Sequence, residues 1–430
     1  MEISDLYQLF CQHPVVTTDT RDCPAGALFF ALRGENFNGN DFAYKALEAG
    51  CAFAVVDDPR VSAGERYIVV DDVLQTLQQL ASYHRQQLGT PIVQITGTNG
   101  KTTTKELVAA VLSEKYNVLY TQGNFNNHIG VPKTLLRLTR EHDIAVVETG
   151  ANHPGEIADL SRIVRANCGL ITNVGKAHLE GFGSFEGVVR TKGELYEALR
   201  QQEGGFIFLN GDNPHLCGIA QGLTAETYGQ PGRGYAVEGE VLSCTPFLNF
   251  RWRAQGGNWE EVHTQLIGAY NIDNALAAAT VGLHFGVSAE EITHALSHYE
   301  PTNNRSELKK TVNNELIVDA YNANPTSMKA ALDNFRWVEH PHKMVILGEM
   351  RELGAASAEE HRAVVEQLKD LGCEKVWLVG KEFAPFAGDY TYFQNVDEVK
   401  AALASEPVRH QLILIKGSNG TKLFQLPDLL

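Results

Sequence analysis

The sequence predicts an α/β protein of three domains, the middle one built on a doubly wound parallel sheet. Three observations carry this reading. The chain has 430 residues, against a usual domain size of roughly 150. Short apolar runs alternate with helical patterns along most of its length. Two breaker segments, Gly89-Thr90-Pro91 and Pro301-Thr302-Asn303-Asn304, interrupt the alternation. The expected domains are residues 1–88, 89–302 and 303–430.

The first domain reads as a small α/β unit. Residues 27–32 and 52–56 are expected strands, with a helical stretch at 42–49 between them and a helix at 73–88 leading to the first break. Beyond Pro91, residues 92–95, 144–147, 170–172 and 206–209 are apolar runs of the length that buried parallel strands take. Residues 237–267 alternate as antiparallel strands do and are expected to form a side sheet; 271–285, rich in alanine, and 289–299 are expected helices. After the second break come a strand at 316–318, a helix from Pro325, a strand at 344–347, a helix containing His361, and strands near Val376 and at 412–415. That order predicts a Rossmann-like third domain.

Composition narrows the function. Asp plus Glu number 52 against 36 Lys plus Arg, a net charge of −16, which disfavours generic nucleic-acid binding. A local cluster of donors can still hold an anionic substrate. The seven cysteines are scattered and form no C-x-x-C, so free, mostly buried thiols in a reduced compartment are expected. The N-terminus, Met1-Glu2-Ile3-Ser4-Asp5, has no basic region followed by an apolar stretch, and no signal peptide is read. No apolar run approaches about 18 residues, so no membrane span is read either. The expected location is the cytoplasm.

The most informative segment follows the first apolar run of the middle domain. Residues 92–95 enter the turn Gly97-Thr98-Asn99-Gly100-Lys101-Thr102-Thr103, and a helical pattern follows with Leu107, Val108, Val111 and Leu112 apolar. Strand, glycine turn and helix start together make a phosphate cradle, in which N–H groups of the first helical turn face the anion. Lys101 can reach terminal phosphates and the Thr102 hydroxyl can take a place on Mg²⁺. The loop is a short form, G-x-x-G-K-T-T, with Ile95 where the longer pattern has its outer glycine.

Ligands of open parallel sheets sit at the carboxyl ends of strands. Glu148 closes the run at 144–147, where a carboxylate can bind nucleotide-bridging Mg²⁺. His178 follows the strand expected at 170–172 and is read as either structural or a metal ligand. Lys192 lies in a helix-like stretch and, taken alone, is a surface lysine. Asn271 and Asn274 start a helix at N-x-x-N spacing, as caps or as ligand contacts. Arg305 and Asp319 flank the third domain's expected first strand, and Asp319 stands at its end.

Several segments besides the loop occur in a characteristic order: Thr121-Gln122-Gly123-Asn124-Phe125-Asn126-Asn127-His128-Ile129-Gly130, Glu148-Thr149-Gly150-Ala151-Asn152-His153-Pro154-Gly155, Thr172-Asn173-Val174-Gly175-Lys176-Ala177-His178, Tyr321-Asn322-Ala323-Asn324-Pro325, Leu347-Gly348-Glu349-Met350-Arg351-Glu352-Leu353-Gly354 and Lys416-Gly417-Ser418. With them the chain resembles the Mur ligase family over essentially its whole length. The resemblance implies a P-loop ATPase sheet in the middle, a uridine-nucleotide-binding first domain, and an ATP-dependent ligase that joins a carboxylate to an amine through an acyl phosphate. The Tyr321 and Leu347 segments point within the family to UDP-N-acetylmuramoyl-tripeptide as the acid and D-alanyl-D-alanine as the amine, in cytoplasmic peptidoglycan precursor synthesis by a monomer. A sister ligase adding a single amino acid is the first alternative. A nucleotide-dependent binding module or transporter ATPase is the second, and it leaves His178 and Lys192 without a role.

Carried over residue by residue, the resemblance implies ATP held by Lys101 and the backbone from Gly97 to Thr103. It implies one Mg²⁺ on Thr102 and Glu148 and a second on His178. It matches Lys192 to a carbamylated lysine that adds a metal-ligating negative charge. Asn271 and Asn274 would contact the adenine side, Arg305 the phosphates and Asp319 the ribose, so that domain closure completes the site. Thr20, Arg21 and Arg33 fall in segments similar to uridine-nucleotide-binding ones, the arginines as phosphate or structural donors. Asn124 and Asn127 would line the substrate channel. The chain departs from the family at Asn38-Gly39-Asn40, where Asp-Gly-His is usual, at Tyr270 for His, at Val318 and Ala320 beside Asp319, and at Thr149.

Overall fold

Three main sheets organise the chain in a computed structural model that describes residues 2–301 and 307–430. The first is parallel and four-stranded, in the order Val16–Thr17, Leu28–Phe30, Phe53–Val56, Tyr67–Val69. The helix Val73–Leu88 follows, with Asp72 accepting from the Gln75 N–H at its start and Gly89 left-handed at its end, as the breaker triplet predicts.

That helix is shared between two bodies of the protein. Leu77, Leu80 and Ala81 pack in one apolar cluster with Leu28, Phe30 and Val55 of the first sheet and with Leu119, Val131, Ala145, Val147 and Leu160 of the central domain. Arg85, buried, donates to the Val164 carbonyl at 3.1 Å and to Asn167 Oδ1 at 2.9 Å. The first sheet is therefore seated on the central one through a common core.

The central sheet has nine strands, in the order Glu260–Ile267, Phe247–Ala254, Val237–Cys244, Thr224–Gly229, Phe206–Asn210, Cys168–Ile171, Ile92–Thr96, Ile144–Glu148, Val118–Tyr120. Residues 237–267 are antiparallel as expected, but they are no separate side sheet. Val237 pairs in parallel with Tyr228, so the hairpins continue the central sheet. Alternation along the strands covers both faces. Val93, Ile95 and Val146 meet the helices Lys101–Ser113 and Asn271–His284, while Ile92, Ala145 and Val147 point to the opposite face. Ile92–Thr96 lies between Cys168–Ile171 and Ile144–Glu148, and the chain leaves it in both directions. This is the topological switch point, where a crevice opens outside the carboxyl ends.

The third sheet has six strands in the order Glu307–Lys310, Glu315–Asp319, Leu412–Lys416, Lys343–Gly348, Lys375–Val379, Thr391–Phe393, parallel except for the first. The antiparallel strand Glu307–Lys310 precedes the one expected to open this domain; its burial does not alternate and three of its four residues are charged. All seven cysteines are free, but only Cys51 and Cys168 are buried and Cys11 is exposed, so the expectation of mostly buried thiols is corrected. Among the described residues, no helix is long and apolar enough to cross a membrane.

Candidate active site

The loop after Ile92–Thr96 depends on two glycines. Gly97 has φ +145°, and a Cβ there would lie 2.0 Å from Thr172 Oγ1; Gly100 has φ +75°, and its Cβ would lie 2.6 Å from Asn274 Oδ1. Side chains are excluded at both by conformation and by space. The loop is pinned to the neighbouring strand end: the Thr98 N–H donates to the Asn173 carbonyl at 2.9 Å and the Asn99 N–H to Asn173 Oδ1 at 3.0 Å. Lys101 arches back over the turn and donates to the Gly97 and Thr98 carbonyls, both at 2.9 Å. An anion in the cradle would thus meet an ammonium group and the open N–H groups of a helix start.

Thr102 and Glu148 form the hard-oxygen pair behind the loop. The Thr102 hydroxyl donates to Glu148 Oε2 at 2.9 Å, and Asn126 Nδ2 donates to Oε1 at 2.8 Å. The Glu148 N–H donates to Thr121 Oγ1 at 3.0 Å. Pairing of Ile95 with Glu148 across adjacent strands sets the carboxylate beside the loop. Asn126 was missed by sequence reading, which singled out its neighbours. Asn127 spends Oδ1 on the N–H groups of Ile129 and Gly130, in the turn that leads into the short helix Gly130–Leu135.

Lys192 is no surface lysine. It is buried on the helix Phe185–Arg200, with Nζ donating to the Ala151 carbonyl at 3.2 Å and lying 5.1 Å from the centre of the Phe182 ring. Burial, reinforced by the nearby Lys101 charge, brings its pKa down to about 7. Half of the amine is then neutral near pH 7. Only a neutral amine can add CO₂, which is what a carbamylated lysine requires.

His178 has a left-handed backbone, φ +50°, and its Nδ1 pairs with the Glu352 carboxylate of the third domain. Burial lowers its pKa, Glu352 opposes the shift, and Lys101 and Lys192 add to it. The Glu180 N–H donates to the Glu352 carbonyl at 3.1 Å, and Lys176 Nζ reaches Glu360 at 2.6 Å. The histidine therefore stands at the seam between central and third domains.

Asn271 and Asn274, both buried, hold one another and the loop. Asn274 Nδ2 donates to Asn271 Oδ1 at 2.8 Å, Asn271 Nδ2 donates to the Ile267 carbonyl at 2.8 Å, and the Thr104 hydroxyl donates to Asn274 Oδ1 at 3.0 Å. Asp319, at the end of Glu315–Asp319, accepts from the buried Lys416 Nζ at 2.5 Å. Arg305 lies outside the described residues.

One cavity of about 1040 Å³ gathers most of these groups. Thr98, Asn99, Gly100, Lys101, Thr103, Glu148, His178, Asn271 and Asn274 line it, together with Asn124, Asn127 and Asp319. Thr102 and Lys192 are buried in the wall behind. Thr20, Arg21 and Arg33 are not brought to this cavity. Arg21 is held by Asp19 at 2.6 Å, and Arg33 by Asp57 at 2.7 Å. The buried Asn40, one of the family departures, donates to the same Asp57 oxygen at 2.7 Å, which gives Arg33 a fixed counter-charge.

The residues fit a nucleotide and Mg²⁺. Mg²⁺ keeps several waters and takes one or two protein oxygens together with substrate phosphates. Thr102 Oγ1 and Glu148 Oε2 offer such oxygens 2.9 Å apart. No group of three or more His, Cys, Asp or Glu converges among the described residues.

Three profiles of one family match the chain in order: "Mur ligase family, catalytic domain" over residues 14–85, "Mur ligase middle domain" over 95–282 and "Mur ligase, glutamate ligase domain" over 304–419. The UDP-N-acetylmuramoyl-tripeptide–D-alanyl-D-alanine ligase of Bacillus subtilis (strain 168) is 36% identical over 424 residues, covering 96% of this chain and 92% of that protein. The ligase of the same name from Escherichia coli (strain K12) is 36% identical over 421 residues, covering 95% and 91%. A crystal structure of MurF from Acinetobacter baumannii aligns with a TM-score of 0.87 at 32% identity, covering 96% of this chain and 92% of that one.

Proposed function

The chain belongs to the Mur ligase family, and on that premise we propose that it joins D-alanyl-D-alanine to the C-terminal carboxylate of UDP-N-acetylmuramoyl-tripeptide with ATP, giving ADP and phosphate. The relatives that carry this activity in their names support the choice of substrates. The observation that carries the chemistry is a cavity in which the loop at Gly97–Thr103 meets the Asn124 segment and the third domain's Asp319 and Tyr321. Nucleotide, acid and amine have to meet in one place, and three separate parts of the chain border that place.

A carboxylate oxygen attacks the γ-phosphorus and ADP leaves, which makes an acyl phosphate. The amine nitrogen of D-alanyl-D-alanine then attacks the acyl carbon. A tetrahedral intermediate collapses, phosphate leaves and the surplus amine proton passes to solvent. The protein's part is positioning and charge neutralisation. Lys101 lies where it offsets charge on the transferred phosphoryl group. When Mg²⁺ is bound, the chemistry it would supply is withdrawal of charge from the phosphate. Thr102 and Glu148 are the groups suited to hold it. Lys192, carboxylated on Nζ, would add an anionic oxygen ligand, and His178 completes that side. Asn271 and Asn274 keep the loop in its cradle shape, and Asp319 faces the ribose side. The first domain binds the uridine nucleotide near Thr20, Arg21 and Arg33. In this reading the enzyme works as a monomer in the cytoplasm, in peptidoglycan precursor synthesis.

The test is phosphate release by the purified protein with ATP, Mg²⁺ and the tripeptide nucleotide. Release that depends on D-alanyl-D-alanine supports the proposal. Release with a single amino acid but not with the dipeptide, or release without any carboxylate, overturns it.

A further inference from the structure

The phosphate cradle uses the backbone of Asn99 but leaves its side chain unexplained. That backbone is pinned from one side. Its N–H donates to Asn173 Oδ1, and its carbonyl accepts from Thr172 Oγ1 at 2.6 Å and from Asn173 Nδ2 at 3.0 Å. The side-chain amide faces the third domain. There Asn324 Nδ2 donates to Asn99 Oδ1 at 2.8 Å, and Asn99 Nδ2 donates back to Asn324 Oδ1 at 3.4 Å.

Asn324 is itself held rigidly. It caps the helix Pro325–Trp337, where its Oδ1 accepts from the Ser327 N–H at 2.9 Å and its own N–H donates to Ser327 Oγ at 3.1 Å. It is 7% exposed. Two residues on, Thr326 Oγ1 accepts from the Lys176 N–H at 3.1 Å. Gly175 permits this approach, since a Cβ there would lie 2.8 Å from the same oxygen. The start of one helix thus docks on the phosphate loop and on the segment leading to His178.

We propose that Asn324 is a positioning residue for ligation: through Asn99 it latches the third domain onto the phosphate loop, so that closure of the site depends on the shape of the loop. A reciprocal amide pair has a narrow geometry, and it joins the polar groups of the buried Asn324 to those of the half-buried Asn99. The Asn99 amide points at Asn324 only while its backbone keeps the contacts to Asn173, which are the contacts that shape the cradle. Closure and nucleotide binding are then linked, and each favours the other by the same factor. The proposal rests on the ligase reading above, because the latch acts on a reaction that needs both domains.

The test compares Asn99→Ala, Asn324→Ser and the double variant. Serine is a good helix cap but too short to reach Asn99. The expected result is a fall in kcat of roughly tenfold in each single variant, the net worth of about two hydrogen bonds. The double variant should fall no further, and melting temperatures should match that of the unaltered protein. Small-angle scattering should show both single variants more open than the unaltered protein in saturating ATP and Mg²⁺. A kcat within twofold of the unaltered value, losses that multiply to about a hundredfold in the double variant, or loss of folding in parallel with activity would overturn the proposal. The two readings fail separately. Unaltered protein that compacts with ATP, in a way both variants lose, but ligates nothing would refute the reaction and support the latch.

Discussion

The hydroxyl of Thr102 donates to Oε2 of Glu148 at 2.9 Å, which ties the first turn of the loop helix to the end of the adjacent strand. Register places the two together, because Glu148 pairs with Ile95 one residue before the end of the strand that enters the loop. The pair of oxygens is therefore a property of the sheet and moves with it as a rigid unit.

Glu148→Gln keeps the shape of this pair and removes its charge. Ligation should fall by roughly 10²–10³-fold, the usual cost of losing one preorganised electrostatic contact. The Mg²⁺ concentration needed for half-maximal rate should rise. A magnesium titration of the variant, with circular dichroism to check folding, measures both.

Lys192 should show an amine pKa of about 7, against about 10.4 for an ordinary lysine. The sign follows from the depressed value. Below pH 7 the group is an ammonium and cannot add CO₂; above it, most of the amine is neutral. At fixed dissolved CO₂, the carboxylated fraction and the rate should both rise between about pH 6 and 8. Competitive acylation across that range reads the pKa. Lys192→Ala should lose turnover, and added short-chain carboxylates should restore part of it.

Gly100→Ala forces a side chain into a left-handed position, at a cost of about 1–2 kcal/mol. It also drives Cβ into Asn274, 2.6 Å away. The displaced asparagine releases Asn271 and Thr104 in turn. ATP affinity should fall about tenfold or more by equilibrium binding, with a lower melting temperature.

Lys416→Met leaves the Asp319 carboxylate without the cation it meets at 2.5 Å. Lys416 is buried but Asp319 is only half-buried at the cavity, so the unpaired carboxylate should cost about 1–3 kcal/mol. Adding Asp319→Asn should recover part of that loss. Urea midpoints for the single and double variants make the comparison.

How much of this was legible depended on range. The strand Ile144–Glu148 and the helix Val73–Leu88 declare themselves in runs and periods of apolar residues, and the loop in its glycines. Thr224–Gly229 went unread because it is partly exposed and polar, with Thr, Glu and Thr among its six residues. The hairpins at 237–267 were read as strands, but nothing local shows which sheet they extend. Lys192 looks like any helical lysine until the fold buries it. Asn126 becomes functional only because Glu148 lies opposite, and the Asn99–Asn324 pair spans 225 positions. Local pattern reveals elements, while contacts between distant segments complete the site. The ion pair of Arg33 with Asp57, 24 positions away, is equally beyond local reading.

The central claim is that the end group of ATP is handed to the acid before the amide forms. The direct measurement uses the tripeptide nucleotide with both oxygens of its C-terminal carboxylate replaced by ¹⁸O, followed by mass analysis of the phosphate released with D-alanyl-D-alanine. The account predicts one ¹⁸O in each phosphate, carried over from the acyl phosphate. Phosphate that contains no ¹⁸O, formed while the amide product accumulates, would contradict it.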